Sequence, residues 1–182
     1  MIKAILFDLG DTIIKEEGVT DEQITRTKLE KVPYIDEVLQ QLKGKYKLAV
    51  VTNTSTSKEE RIRLALRIMG LEDYFDAVVT SVDIGHEKPE EEIYCEALKR
   101  IRVKPIDAVM VGNRIKTDVL GANKLGIISV QLKWNNRYPE EVASPLEQPD
   151  YIINSLRQLP GILLDIGHNK KRGSSLSTSK CR

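Results

Sequence analysis

The stretch ILFDLGDTII, residues 5–14, carries an apolar run into Asp8, turns at Gly10 and places Thr12 four residues beyond the acid. It reads as a buried strand that delivers a carboxylate to the end of a sheet. Five more short apolar runs follow at 46–51, 75–79, 107–111, 127–132 and 150–153. With 2–7 they make six expected strands. Most are near-continuous in Val, Ile, Leu and Ala, as a sheet covered on both faces requires.

Between the runs lie helical patterns. Residues 57–69 begin with Ser57 and Glu60 in capping-box spacing, align Ile62, Leu66 and Met69, and stop at Gly70. Residues 89–101 start on Pro89, carry acids in the first turn, and align Ile93, Ala97 and Ile101. Further helices are expected at 34–43, 115–125 and 155–164. Strand and helix alternation predicts an α/β doubly wound, Rossmann-like parallel sheet with right-handed crossovers. Ligands of such sheets bind beyond the carboxyl ends of the strands.

A length of 182 residues suits one domain, assigned to residues 1–166 with a short insert at 13–45, followed by a tail at 167–182 expected to be disordered. Near-equal numbers of basic and acidic residues, 28 against 27, give no field favouring nucleic acid. No stretch approaches the ~18 apolar residues of a membrane span. Cys95 and Cys181 are far apart and no secretory leader is evident, so no disulfide and a cytoplasmic location are expected.

The strand ends carry the candidate chemistry. Asp8 could act as a nucleophile toward phosphorus and hold a hard cation, or simply form a turn. Thr52 and Asn53 precede a helix start and could hold phosphate oxygens, or serve as ordinary turn residues. Lys88, in a loop before Pro89, could offset phosphoryl charge or lie in solvent. Gly112, Asn113 and Asp118 could complete an oxygen-rich magnesium site, while Asp118 could equally complement a helix dipole.

Taken together, ILFDLGDT, LAVVTN, EKP and VGNRIKTD resemble the four signature motifs of the haloacid dehalogenase-like (HAD) hydrolase superfamily, over about residues 2–164. Receiver domains of two-component signalling share the chemistry, but they place the phosphoacceptor after the third strand and the lysine after the fifth. The order here is that of the hydrolases. The resemblance implies Asp8 as nucleophile, Thr52, the Asn53 backbone and Lys88 as phosphate-binding groups, and Mg²⁺ held by Asp8, the Gly10 carbonyl, Asn113 and Asp118. A magnesium-dependent phosphatase working through an aspartyl-phosphate is the expectation, with a non-catalytic phosphate-binding or scaffold protein as the alternative.

Two positions depart from the pattern. Phosphatases of the superfamily usually carry a second Asp at the place of Gly10 for acid/base work, and an aspartate ligand at the place of Asn113. Loss of the first should slow alkyl phosphates most, unless the neighbouring Asp11 substitutes; loss of the second removes a charge from the cation site. The 13–45 segment is too short for a full cap, which makes a dehalogenase a poor fit and predicts an open site. Such a site suits a phosphorylated metabolite or macromolecule, or closure by a second protomer. Residues 133–142 could form a rim, with Trp134 and Arg137 near substrate or Trp134 packed on the sheet edge.

Overall fold

The structure is a computed structural model that describes residues 1–16, 24–25, 28–135, 137–170 and 181. Strands β1 (Ala4–Phe7), β2 (Lys47–Thr52), β3 (Ala77–Thr80), β4 (Ala108–Gly112), β5 (Ile128–Leu132) and β6 (Tyr151–Ile153) form one sheet. Its order is β3-β2-β1-β4-β5-β6 and every pairing is parallel. The six expected strands are all present. The chain winds outward from β1 to β3, then returns to the other side of β1 at β4. The switch point between β1 and β4 is where a doubly wound sheet opens a crevice for a ligand.

Both faces are covered, and the two-residue period of the strands divides the core accordingly. Ile5 and Phe7 face α1 (Ile35–Leu42), α2 (Glu59–Ile68) and α6 (Leu159–Lys170), in a cluster that includes Leu39, Leu66 and Leu163. Ala4 and Leu6 face α4 (Glu91–Ile101) and α5 (Leu120–Leu125), where Ile93, Ala97, Ile101 and Leu125 pack. The register puts Phe7 level with Val50 and Val111, so Asp8 emerges directly at the rim.

Several local expectations are corrected. The α2 helix begins at Glu59, and its N-cap Lys58 makes no side-chain cap. An acid from another element reaches this helix start: Asp83 Oδ2 accepts from the Glu59 N–H at 2.7 Å. Asp83 belongs to the short α3 (Ser81–Ile84), which sequence patterning missed and whose N-cap Thr80 accepts from the Asp83 N–H. The α4 helix starts at Glu91, after a cis Lys88-Pro89 bond, rather than on Pro89. The segment 115–125 opens with a π-turn, Ile115–Val119, before α5. The final helix is shifted: a 3-10 turn, Leu156–Gln158, closed by a Ser155 capping box, leads into α6, which runs to Lys170.

The expectation of unpaired cysteines fails. Cys95 on α4 and Cys181 are joined by a disulfide, and Cys181 rests on the cluster beneath α4. Distance along the chain says nothing about distance in the fold. Of the tail expected to be disordered over 167–182, residues 167–170 belong to α6 and Cys181 is held by the disulfide, while 171–180 and 182 lie outside the described residues. The expected insert at 13–45 is only partly described, with 17–23 and 26–27 outside. Residues 8–34 lie between β1 and α1, too short a span for a large cap. No helix among the described residues is long and apolar enough to cross a membrane.

Candidate active site

Three of the expected residues meet at the carboxyl end of β1 and β4. Lys88 Nζ donates to Asp8 Oδ1 and to Asp118 Oδ1, each at 2.6 Å. Thr12 Oγ1 donates to Asp8 Oδ2 at 3.3 Å. The trio is buried, with 8% of Asp8, 3% of Lys88 and 1% of Asp118 exposed. One ammonium therefore faces two carboxylates in a medium that penalises net charge. Burial, opposed by Lys88 and reinforced by the Asp118 charge, pushes the Asp8 carboxyl up to about 7. Burial also draws Lys88 down, but Asp118 and Asp8 outweigh it and hold the ammonium above its ordinary value.

Each member is placed by its own local device. Asp8 continues the β1 pairing, its N–H donating to the Val111 carbonyl at 2.9 Å. Lys88 is fixed through its backbone: Asn53 Oδ1 accepts from the Lys88 N–H at 2.7 Å and Asn53 Nδ2 donates to the Lys88 carbonyl at 3.0 Å. Asn53 was expected to use only its backbone on phosphate, so its side-chain role in holding Lys88 is new. Asp118 sits on the π-turn, a feature often found where function bends a helix. There Asp118 Oδ2 accepts from the Arg114 N–H at 3.0 Å. The Tyr94 hydroxyl donates to the Thr117 carbonyl at 2.8 Å, and burial pushes that phenol well above its usual value, keeping it a donor.

Gly112 is required by this arrangement. A Cβ on residue 112 would fall on the carboxyl group of Asp118. Gly112 is paired with Gln131 inside the sheet and has little room to retreat. Gly112→Ala should therefore cost about 1–3 kcal/mol in chemical denaturation, with Asp118 displaced from Lys88.

The donor set fits a hard cation. Asn113 is buried, and its Oδ1 has no hydrogen-bond partner among the described residues. A buried acceptor without a donor is costly unless something else meets it. Carboxylate and amide oxygens are what magnesium takes from a protein, and the trio carries one negative charge in excess. Thr52 is buried at the end of β2, its hydroxyl 3.4 Å from the Asn53 carbonyl.

The Gly10 turn is built differently from the expected one. Gly10 does not take a positive φ; the left-handed residue is Asp11, at φ 49°, a conformation Asp tolerates better than most. The chain reverses there, with the Asp11 N–H donating to the Ile14 carbonyl at 2.6 Å. Asp11 is wholly buried: Oδ1 accepts from the Glu16 N–H at 3.1 Å, and Oδ2 lies 3.1 Å from Arg137 Nε. Trp134 Nε1 donates to the Asp11 carbonyl at 2.6 Å and the ring packs on the core. Trp134 and Arg137 thus anchor the 133–142 segment to the first turn.

Comparison with known proteins identifies the family. A family profile described as haloacid dehalogenase-like hydrolase matches residues 17–132. A protein named glyceraldehyde 3-phosphate phosphatase from Methanocaldococcus jannaschii is 32% identical over 172 residues, covering 91% of this chain and 71% of its own length. Its namesake from Methanopyrus kandleri is 35% identical over 139 residues, covering 74% of this chain but only 58% of its own length, so this chain spans less than two thirds of that relative. Among solved structures, a HAD phosphatase from Thermococcus onnurineus superposes with a TM-score of 0.72 at 27% identity, over 89% of this chain and 98% of that one. The sheet order, the strand-end trio and the profile match place the chain in the haloacid dehalogenase-like hydrolase family.

Proposed function

We propose that the chain is a magnesium-dependent phosphatase that works through an aspartyl-phosphate on Asp8. The observation that carries this reading is the single Lys88 ammonium shared by Asp8 and Asp118 at the switch point of the sheet. Asp8 is held at one place by Thr12 and Lys88, ready to attack phosphorus in line with the departing oxygen. As the phosphoryl group transfers, Lys88 offsets its charge, and Thr52 with the Asn53 backbone N–H receives its oxygens. Asp8, the Gly10 carbonyl, Asn113 and Asp118 would hold Mg²⁺, which supplies charge neutralisation and orientation when bound. Positioning and electrostatics of this kind are most of what phosphoryl transfer needs.

The relatives named as glyceraldehyde 3-phosphate phosphatases, and one named pyrophosphatase PpaX from Bacillus thuringiensis at 28% identity, point to small phosphorylated metabolites as substrates. Absence of a large cap leaves the site open, and a second protomer is a fitting cover. A cytoplasmic setting would require the Cys95–Cys181 bond to open, since reducing compartments rarely keep such bonds.

Hydrolysis of p-nitrophenyl phosphate should depend on Mg²⁺, cease on chelation, and extend to glyceraldehyde 3-phosphate in a panel of phosphomonoesters. Failure across the panel at high enzyme concentration, with calorimetric binding of a phosphorylated compound retained, would replace this reading by a non-catalytic phosphate-binding one.

A further inference from the structure

We propose that Glu16 supplies the acid/base carboxylate that residue 10 lacks. This inference rests on the phosphatase reading above. A Cβ built on Gly10 would fall on the Glu16 side chain, and the nearest atom is the carboxylate oxygen Oε1. The space into which residue 10 would project a side chain is therefore already filled by a carboxylate. It comes from six positions further on, brought back by the reversal at Asp11.

The carboxylate lies beside the turn that follows the nucleophile. Gly10 is two residues from Asp8, and two residues of chain span at most about 7 Å. Contacts also lead from Glu16 to the trio. The Tyr138 hydroxyl donates to Glu16 Oε2 at 2.5 Å, and the Arg114 guanidinium lies 4.5 Å from the centre of the Tyr138 ring. The Arg114 N–H in turn holds Asp118. Tyr138 fixes one oxygen, and the other is the one nearest Gly10. Asp11, the neighbour that might have served instead, has its carboxylate committed to the Glu16 N–H and Arg137.

In the first half-reaction Asp8 forms its bond to phosphorus, the bond from phosphorus to the leaving oxygen breaks, and the Glu16 carboxyl proton passes to that oxygen, releasing the alcohol. In the second, the Glu16 carboxylate takes a proton from water as the water oxygen bonds to phosphorus. Asp8 leaves as carboxylate, inorganic phosphate departs, and Glu16 is protonated again. Tyr138 is a positioning residue for this carboxylate.

The test uses the full chain with Mg²⁺ and two substrates, p-nitrophenyl phosphate and glycerol phosphate. Glutamine at 16 keeps the shape and can still accept from Tyr138, but it carries no transferable carboxyl proton. Glu16→Gln should release p-nitrophenol rapidly once per site and then turn over about 10²–10⁴-fold more slowly than wild type. With glycerol phosphate, whose leaving group needs a proton, the first release should itself be slowed to that extent.

Gly10→Asp/Glu16→Ala, which refills the space from residue 10, should recover at least about tenfold over Glu16→Ala. Wild-type rates for Glu16→Gln on both substrates would overturn the role, as would faster turnover in Glu16→Ala, the mark of a mere plug. A folded double variant without recovery would also overturn it. Asp8→Asn separates the two readings. Turnover that survives Asp8→Asn unchanged removes the phosphatase reading itself, whereas turnover that needs Asp8 but ignores Glu16 removes only the role of Glu16.

Discussion

Asp8→Asn should abolish phosphatase turnover while making the metal-free protein more stable at pH 8. Loss of a nucleophile costs roughly 10⁴-fold or more in rate. The stability gain has a separate origin. Asp8 and Asp118 share one ammonium, so asparagine at 8 removes the excess charge and leaves the Lys88–Asp118 pair balanced. The sign follows from the Asp8 carboxyl lying at about 7 in the folded protein against 3.8 ordinarily. Below that ordinary value both states carry the proton and no penalty arises. As pH rises from there through 7, the folded state holds a proton that the unfolded chain has lost, so wild-type stability falls.

The advantage of Asp8→Asn is accordingly absent near pH 4 and full at pH 8, where about 1–3 kcal/mol would raise the melting temperature by about 2–4 °C per kcal/mol. Magnesium should narrow the gap, because it binds and stabilises folded wild type. Denaturation of both proteins in EDTA at pH 5 and pH 8 measures this, and a variant less stable than wild type at pH 8 would contradict the charge imbalance.

The fold was legible because its strands are nearly continuous apolar runs and its chemistry sits one residue past them. Phe7 ends β1 and Asp8 begins the site; Gly112 ends β4 and Asn113 follows. Backbone pattern alone carries that information. What escaped depends on contacts between segments without periodicity. Glu16 lies in a polar stretch with no helical or strand pattern, and only the reversal at Asp11 shows that its carboxylate reaches Gly10.

The same holds elsewhere. The capping-box spacing of Ser57 and Glu60 gives no sign that Asp83, a residue on another element, also meets the α2 N-terminus. Asn53 was legible as a strand-end polar residue, but not as the clamp on the Lys88 backbone. Cys95 and Cys181 pair because α4 presents one of them where the chain end returns, a fact of tertiary structure with no local mark. Gly10 looked like a turn glycine. Its absent side chain matters because Glu16 uses the space.

Lys88→Met should be the most damaging change in the metal-free protein. Methionine keeps an unbranched apolar stem of similar length, and the Asn53 bonds to the residue 88 backbone do not depend on the side chain, so the loop geometry survives. What is lost is the ammonium, leaving Asp8 and Asp118 buried as unpaired acids. Removing one partner of a buried ion pair costs about 3–5 kcal/mol. Acidification from pH 8 to pH 5 should recover part of this, since protonating either carboxyl relieves the repulsion.

Magnesium should raise the melting temperature of Lys88→Met more than that of wild type, because the variant site carries two uncompensated negative charges and the wild-type site one. Catalysis should remain about 10²–10³-fold below wild type even in the stabilised form, for the charge that meets the transferring phosphoryl group is gone. Parallel thermal melts with and without Mg²⁺ read the first effect and initial rates the second. Equal magnesium responses in the two proteins would show that Lys88 is not the counterion of this pair of acids.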